Sequence, residues 1–495
     1  MSVEHIFVLM LENRAFDHTV GFSAITGRDA QTGAPTQVNA LTGSESNVFN
    51  GGTYRVSKGA DNVMPVDPGH EFTNVLEQLC GPGVSYPRGG AYPPIDKSGF
   101  VTSYVASGGS AAPGEVMKCF APDQLPVLLA LAEEFAICDN WHASIPGPTW
   151  PNRVFVHAAS SGGLDHSPSN QEIVGWETIG GFPLKAGSIF DALKRKGVSY
   201  RLYAGDDFPM VAALKGISLL DIHHYSDFAG DLGKSSFPYS YVFIEPSYDV
   251  LNEYRNSTSQ HPLTDITLGE GLIKETYEVI RKFAVWSTSV LIITWDEHGG
   301  FYDHVTPPTA VAPGDSNPSD KYNQYGFTFE QYGPRVPAVV ISPLIPKNTI
   351  DHRLYDHASV PAMIEAAFGL SPLTARDRQA NSPHQLLSLS AARADAPMTL
   401  PSPAGAVAVA VMSMAVPDLD TSAASRPDET VNQGTLPVIL NAALRQDLEM
   451  SPDKGADILK RVQSIKTREQ ARKYLAEVQK KLRRYRTLRN LGNNS

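Results

Sequence analysis

The sequence is short of cysteine. Three occur, Cys80, Cys119 and Cys138, and their spacing fits no metal motif. They allow at most one disulfide plus a free thiol, so no disulfide framework organises the chain. Positive charge is also in deficit. The formal net charge is −11, which argues against a body that binds nucleic acid. Long apolar runs are missing: His5 to Leu11 is far too short to span a bilayer. The start shows no basic n-region, no twin arginine and no small-residue cleavage site. The expectation is therefore a cytoplasmic protein, or one exported by a route without a cleaved signal peptide. Neither Gly-x-x-x-x-Gly-Lys-Ser/Thr nor Gly-x-Gly-x-x-Gly after a strand occurs, so the two common nucleotide fingerprints are out.

What is present is a large apolar reserve, 42% of 495 residues, enough for a sizeable core. Short β-branched runs alternate with helical patterns. Strands are expected over 5–11, 136–139, 199–203, 241–245, 290–294 and 335–342. Helices are expected over 125–135, 188–195, 265–286 and from Ser359 to Phe368. Strand, helix, strand repeating in this way gives an α/β fold, a mostly parallel central sheet flanked by helices. Residues 18–120 are punctuated by Gly, Pro, Ser, Asn and Asp and read as loop-rich.

Chemistry gathers where the apolar runs stop. Val290–Thr294 runs into Asp296, Glu297 and His298, then two glycines, then Asp303 and His304. Adjacent carboxylates at a strand end repel unless a cation or proton sits between them. The plain alternative is a solvated acidic turn. His5–Leu11 runs into Glu12 and Asn13, oxygen donors suited to a hard or borderline cation, or a helix start capped by Asn13. Thr149 follows Pro148, within a loop of three prolines and a glycine, at the start of a helical pattern, either as a helix cap or as a hydroxyl beside free backbone N–H groups. Five histidines stand in loops: His70 in Asp67-Pro-Gly-His, the pair His223 and His224, His261 before Pro262, and His298. A cation, a hydroxyl and several imidazoles are equipment for phosphoryl transfer.

These segments resemble a known family. Glu12-Asn-Arg-Ala-Phe-Asp-His18, Gly147-Pro-Thr-Trp-Pro-Asn-Arg153, Thr294-Trp-Asp-Glu-His-Gly-Gly-Phe-Tyr-Asp-His304 and Arg335-Val-Pro look like the bacterial phosphoesterase family. It holds zinc-independent phospholipases C and a related acid phosphatase, within the alkaline-phosphatase-like superfamily. The resemblance covers about residues 4 to 372. It implies one divalent metal ion (Ca, Mg, Mn, Fe or Zn) on Glu12, Asn13, Thr149, Asp296 and Glu297. It implies Thr149 as nucleophile, with His70, His261 and one or both of His223 and His224 as active-site histidines; His298 belongs to the same motif. The expected reaction is hydrolysis of a phospholipid or phosphocholine-like ester through a phosphothreonine, with His261 or His224 protonating the departing alcohol. A phosphomonoesterase and an inactive binding protein are the alternatives. The chain lacks the extra C-terminal β domains of the long phospholipases C, and its length is closer to the acid-phosphatase branch.

Composition divides the chain further. Residues 1–386 form the expected catalytic domain. Residues 387–434, rich in Ala, Pro and Ser, read as a linker or surface wrap. Residues 435–495 read as a basic helical tail. From Ser451 onward there are thirteen Lys/Arg against four Asp/Glu, a local net of +9 beside −11 for the whole. Such a helix docks on the acidic body or makes transient contact with a membrane surface or another anionic partner; the modest apolar stripe favours the first.

Overall fold

A computed structural model describes residues 3–175, 180–405, 418–420 and 424–492. Ten strands form the main sheet: β1 His5–Leu11, β2 Thr26–Asp29, β3 Pro35–Gln37, β4 Ala136–Cys138, β5 Tyr200–Ala204, β6 Ile222–His224, β7 Tyr241–Glu245, β8 Ser289–Trp295, β9 Ala338–Ile341 and β10 Thr349–Asp351. Their spatial order is β6-β5-β7-β1-β8-β9-β4-β10-β2-β3. Within this order β9 runs antiparallel to both neighbours, and β3 runs antiparallel to β2. The other pairings are parallel. The sheet is therefore mostly parallel, as its strand sequences require. Every residue of β1 and of β8 is buried. Strands covered on both faces carry continuous apolar runs rather than alternation.

The principal helices are α1 Phe72–Cys80, α2 Pro126–Glu134, α3 Thr149–Ala158, α4 Ile189–Lys196, α5 Ile266–Lys282, α6 Ser359–Phe368, α7 Leu436–Met450, α8 Gly455–Gln463 and α9 Arg468–Gly492. α5 ends four residues earlier than its apolar stripe implies. Phe283 turns extended, and Ala284–Thr288 continue as a 3-10 turn. The stretch read as loop-rich holds short elements: α1, a helix Phe100–Ala106 and a hairpin of Ser46–Phe49 with Gly52–Arg55. They build a second apolar cluster of Val75, Leu79, Phe100, Val101 and Tyr104. Phe301 and Tyr302 join it, so this cluster seats on the segment that follows β8. All three cysteines are free and buried.

The tail docks on the body. Arg486 pairs with Asp207 at 2.8 Å, and Arg468 Nη2 donates to Val250 O at 2.6 Å. Tyr474, Leu475, Val478 and Leu482 are buried. Upstream, Tyr277 of α5 donates to Pro397 O at 2.6 Å, so the Ala/Pro/Ser stretch runs along this helix. Its residues 406–417 and 421–423 lie outside the described residues. No described helix is long and apolar enough to cross a membrane.

Candidate active site

β1 and β8 are parallel and in register from His5↔Ser289 to Leu11↔Trp295. The next residues on each are Glu12–Asn13 and Asp296–Glu297. Two strand ends thus open side by side at one carboxyl-terminal crevice, where ligands of open α/β sheets sit. Asn13 takes a left-handed φ of 56°, a conformation that asparagine tolerates better than most residues. The turn lets Asn13 N–H donate to Asp296 Oδ1 at 3.0 Å, which also accepts from Glu297 N–H at 2.8 Å. Gly299 and Gly300 have φ of 66° and 73°. A Cβ at Gly299 would meet Asn13 O at 2.2 Å, and one at Gly300 would meet Gly69 O at 2.7 Å. The two glycines let the Glu297 segment pass between the Asn13 turn and the His70 turn.

Thr149 is the first residue of α3 and is buried. Its Oγ1 donates to Asn13 Oδ1 at 3.2 Å. The first N–H groups of α3 have no partner within the helix, so the hydroxyl stands where negative charge is favoured. One turn on, Arg153 Nε donates to Asp296 Oδ2 at 2.9 Å, and Nη2 donates to Met10 O and Leu11 O at 3.2 and 3.0 Å. The motif residue Thr149 and the support residue Arg153 therefore share one helix face.

The donor set fits a cation. Both carboxylate oxygens of Glu12, and Oε1 of Glu297, are buried with no hydrogen-bond partner among the described residues. A buried unpaired carboxylate is costly. Burial raises the Glu12 carboxyl, with Arg153 opposing and Asp296 reinforcing. Burial also raises Asp296, against Arg153. Carboxylates, an amide oxygen and a hydroxyl suit a hard or borderline divalent ion. A second group, Asp17, Asp303 and His304, brings ligand atoms within 4.8 Å of one another. By spacing this trio meets an ion's needs. By chemistry it already holds a cation of its own: Arg335 reaches Asp17 Oδ1 and Asp303 Oδ1 at 2.9 Å each.

The histidines divide. His70 and His261 lie edge to face with ring centroids 6.4 Å apart. Burial pulls His70 down, but the carboxylates of Glu297, Asp67 and Glu71 outweigh it and push it up to about 9. Burial, with His70 and Arg14 adding to it, holds His261 well below the usual range. Leu263 N–H donates to His261 Nδ1 at 3.3 Å, so the proton of this neutral ring is on Nε2, which stands 3.6 Å from Asp67 Oδ2. His298 Nε2 bonds Gln78 Oε1 at 2.8 Å, behind the acidic pair. His223 and His224 lie on β6, the sheet edge, separated from β1 by β5 and β7. His224 bonds Arg486 and stands 3.3 Å from Asp207. The fold therefore brings Glu12, Asn13, Thr149, Asp296, Glu297, His70 and His261 together and holds the His223–His224 pair apart.

Three participants escape a reading of the sequence. Arg153 lies four residues after Thr149, a helical spacing that could have flagged it. Asp67 stands three before His70 in the same turn. Arg14 follows Asn13; its Nε donates to Gln260 O at 2.8 Å and its Nη2 to His261 O at 3.3 Å, tying the His261 loop to the first strand end.

Residues 3–371 match the Phosphoesterase family. Non-specific phospholipase C6 of Arabidopsis thaliana is 35% identical over 420 residues, covering 81% of this chain and 75% of its own. Phospholipase C A of Mycobacterium tuberculosis (strain ATCC 25618 / H37Rv) is 27% identical over 417 residues, covering 74% and 73%. Among solved structures, a protein of the alkaline phosphatase superfamily from Vibrio parahaemolyticus aligns at 13% identity with a TM-score of 0.32, over 53% of this chain and 66% of its own. That likeness is too slight to carry an argument, and the fold class rests on the sheet itself. The family match and the relatives together place the chain in the phosphoesterase family, as a phosphoric ester hydrolase.

Proposed function

We propose that the protein is a metal-dependent phospholipase C-type phosphodiesterase that works through a phosphothreonine on Thr149. The observation that carries this reading is the buried cluster in which Thr149 Oγ1 meets Asn13 Oδ1 at 3.2 Å beside the unpaired carboxylate oxygens of Glu12 and Glu297. Glu12, Asn13, Thr149, Asp296 and Glu297 would hold one divalent cation, which would neutralise the carboxylates and favour the ionised hydroxyl. Thr149 Oγ attacks phosphorus in line, and the bond from phosphorus to the departing alcohol breaks. His70, whose Nδ1 bonds Pro68 O at 2.9 Å and which faces the carboxylates of Asp67 and Glu71, delivers the proton to that alcohol, an effect of about 10²–10⁴-fold. His261, neutral with its proton on Nε2, donates a hydrogen bond to a phosphoryl oxygen. Water then attacks phosphorus and releases Thr149 as the hydroxyl.

The phospholipase relatives support a phospholipid substrate. Such a substrate requires transient contact with a bilayer; α9 turns Arg484 outward, while Lys473, Lys480 and Arg483 pair with Glu469, Asp420 and Asp418. The test pairs phosphatidylcholine with p-nitrophenyl phosphate, using the parent and Thr149→Ala. Release of phosphocholine by the parent and none by the variant is expected. Turnover of the monoester alone would make the protein a phosphomonoesterase, and turnover of neither would leave a binding protein.

A further inference from the structure

We propose that Tyr254 is a positioning residue for His261 and that the C-terminal helices hold it in place through Thr435. This rests on the reading that His261 belongs to the active site. The Tyr254 ring lies flat on the His261 ring, with centroids 3.6 Å apart and planes 6° from parallel. Stacking restrains imidazole tilt, while the Leu263 N–H to Nδ1 bond fixes rotation within the ring plane and keeps the proton on Nε2. The Tyr254 hydroxyl bonds the Thr435 hydroxyl at 3.2 Å, both groups being buried. Thr435 immediately precedes α7. Gly434 approaches so closely that a Cβ there would stand 2.8 Å from the Tyr254 hydroxyl. These contacts come from beyond residue 371, outside the span that matches the family.

The loop between β7 and α5 needs such support. Asp249, Glu253, Tyr254 and Gln260 all take left-handed φ, at 47°, 51°, 62° and 66°. Non-glycine residues keep that conformation only where their surroundings over-determine it. Two sides supply the restraint. From the strand ends, Trp295 Nε1 donates to Gln260 Oε1 at 3.0 Å, Arg14 holds the Gln260 carbonyl at 2.8 Å, and Glu12 N–H donates to Ser259 O at 2.7 Å. From the C-terminal part, Arg468 Nη2 donates to Val250 O at 2.6 Å, Ser425 N–H to Leu251 O at 2.8 Å, and Arg426 pairs with Glu253 at 2.7 Å. The histidine loop is thus clamped between the catalytic strands and the tail.

The experiment uses the full chain. Tyr254→Phe removes the hydroxyl and keeps the stack. Thr435→Val removes the other end of the same bond, and Tyr254→Leu removes the stack. Steady-state turnover of p-nitrophenyl phosphorylcholine and the thermal midpoint are read for each, for the Phe/Val double variant and for His261→Ala. Tyr254→Phe and Thr435→Val should each lower kcat about 3- to 10-fold, with KM within about twofold. The double variant should lose no more than either alone, because both delete one bond. Tyr254→Leu should lower kcat by about 100-fold, as a misplaced catalytic group does. A loss confined to kcat, with the thermal midpoint kept and the Phe variant losing far less than Leu, separates positioning from general support. Parental kcat in Tyr254→Leu, or losses in Phe and Val that multiply in the double variant, would overturn the proposal. Parental kcat in both Tyr254→Phe and Thr435→Val would remove the tail from the role. Should Tyr254→Leu fail to fold, the Phe/Val cycle decides. An active His261→Ala defeats the site reading itself; an inactive one beside a fully active Tyr254→Leu defeats only this inference.

Discussion

Glu12 and Glu297 carry the least compensated charge at the strand ends, since their free oxygens find no donor in the described protein. Glutamine at either position keeps the shape and removes the charge. Glu12→Gln and Glu297→Gln should each weaken divalent-metal binding by at least about tenfold, read by elemental analysis after dialysis; unchanged metal content in both would contradict the assignment. Arg335 plays a different part, and all five of its N–H groups are used. Nε and Nη2 reach Asp303 at 2.9 and 3.2 Å, Nη2 also reaches Asp17 at 2.9 Å, and Nη1 reaches Asn39 O and Asp139 O at 3.0 and 2.8 Å. Arg335→Met leaves two buried carboxylates without their cation. It should cost about 3–5 kcal/mol in a urea titration, and a midpoint equal to the parent's would show that the pair is compensated elsewhere.

At the scale of elements, the in-register pair β1–β8 aims the two acidic strand ends at one point, and α3 brings Thr149 to it. α2 has a device of its own: Glu270 of α5 accepts Val127 N–H at 2.8 Å and Leu128 N–H at 3.0 Å, capping α2 from another helix. Burial pushes Glu270 up to about 7 from 4.5, against those two hydrogen bonds. The folded value lies above the unfolded one, so the contribution to stability is full below about 4.5 and is lost as pH rises through about 7. Between pH 4.5 and 8 the parent should lose up to about 3 kcal/mol relative to Glu270→Gln in paired denaturant titrations; parallel curves would rule this out. The long buried strands and α5 were legible in the sequence, because β-branched runs and a three- and four-residue stripe are strong local signals. The end of α5 was not, since Val285 and Trp286 prolong the apolar pattern through a 3-10 turn. The elements inside 18–120 were not either. Segments of four to nine residues show too little periodicity, and those elements are fixed by packing on Phe301 and Tyr302.

In the whole molecule, charge is sorted. A basic tail closes on an acidic body, where Arg486 and Arg468 meet Asp207 and Val250 O. The tail's docking was readable from charge and its apolar stripe. Its reach to Tyr254 was not, because a pairing between residues 254 and 435 leaves no local pattern. The same holds for the site. Glu12, Asn13, Thr149, Asp296 and Glu297 were legible as motifs at strand and helix ends, whereas Asp67, Arg14 and the Arg335 network become visible only when distant turns meet. His223 and His224 show the converse: a conspicuous pair in sequence that the sheet order carries to its edge. The central claim is that Thr149 takes the phosphoryl group. Rapid acid quench during turnover, followed by peptide mass spectrometry, tests it directly. With phosphatidylcholine as substrate, one added phosphocholine group, phosphorus keeping its choline ester, is expected on the peptide containing Thr149, absent without substrate and absent in Thr149→Ala. Steady turnover with that peptide unmodified, or with the group on another residue, would contradict it.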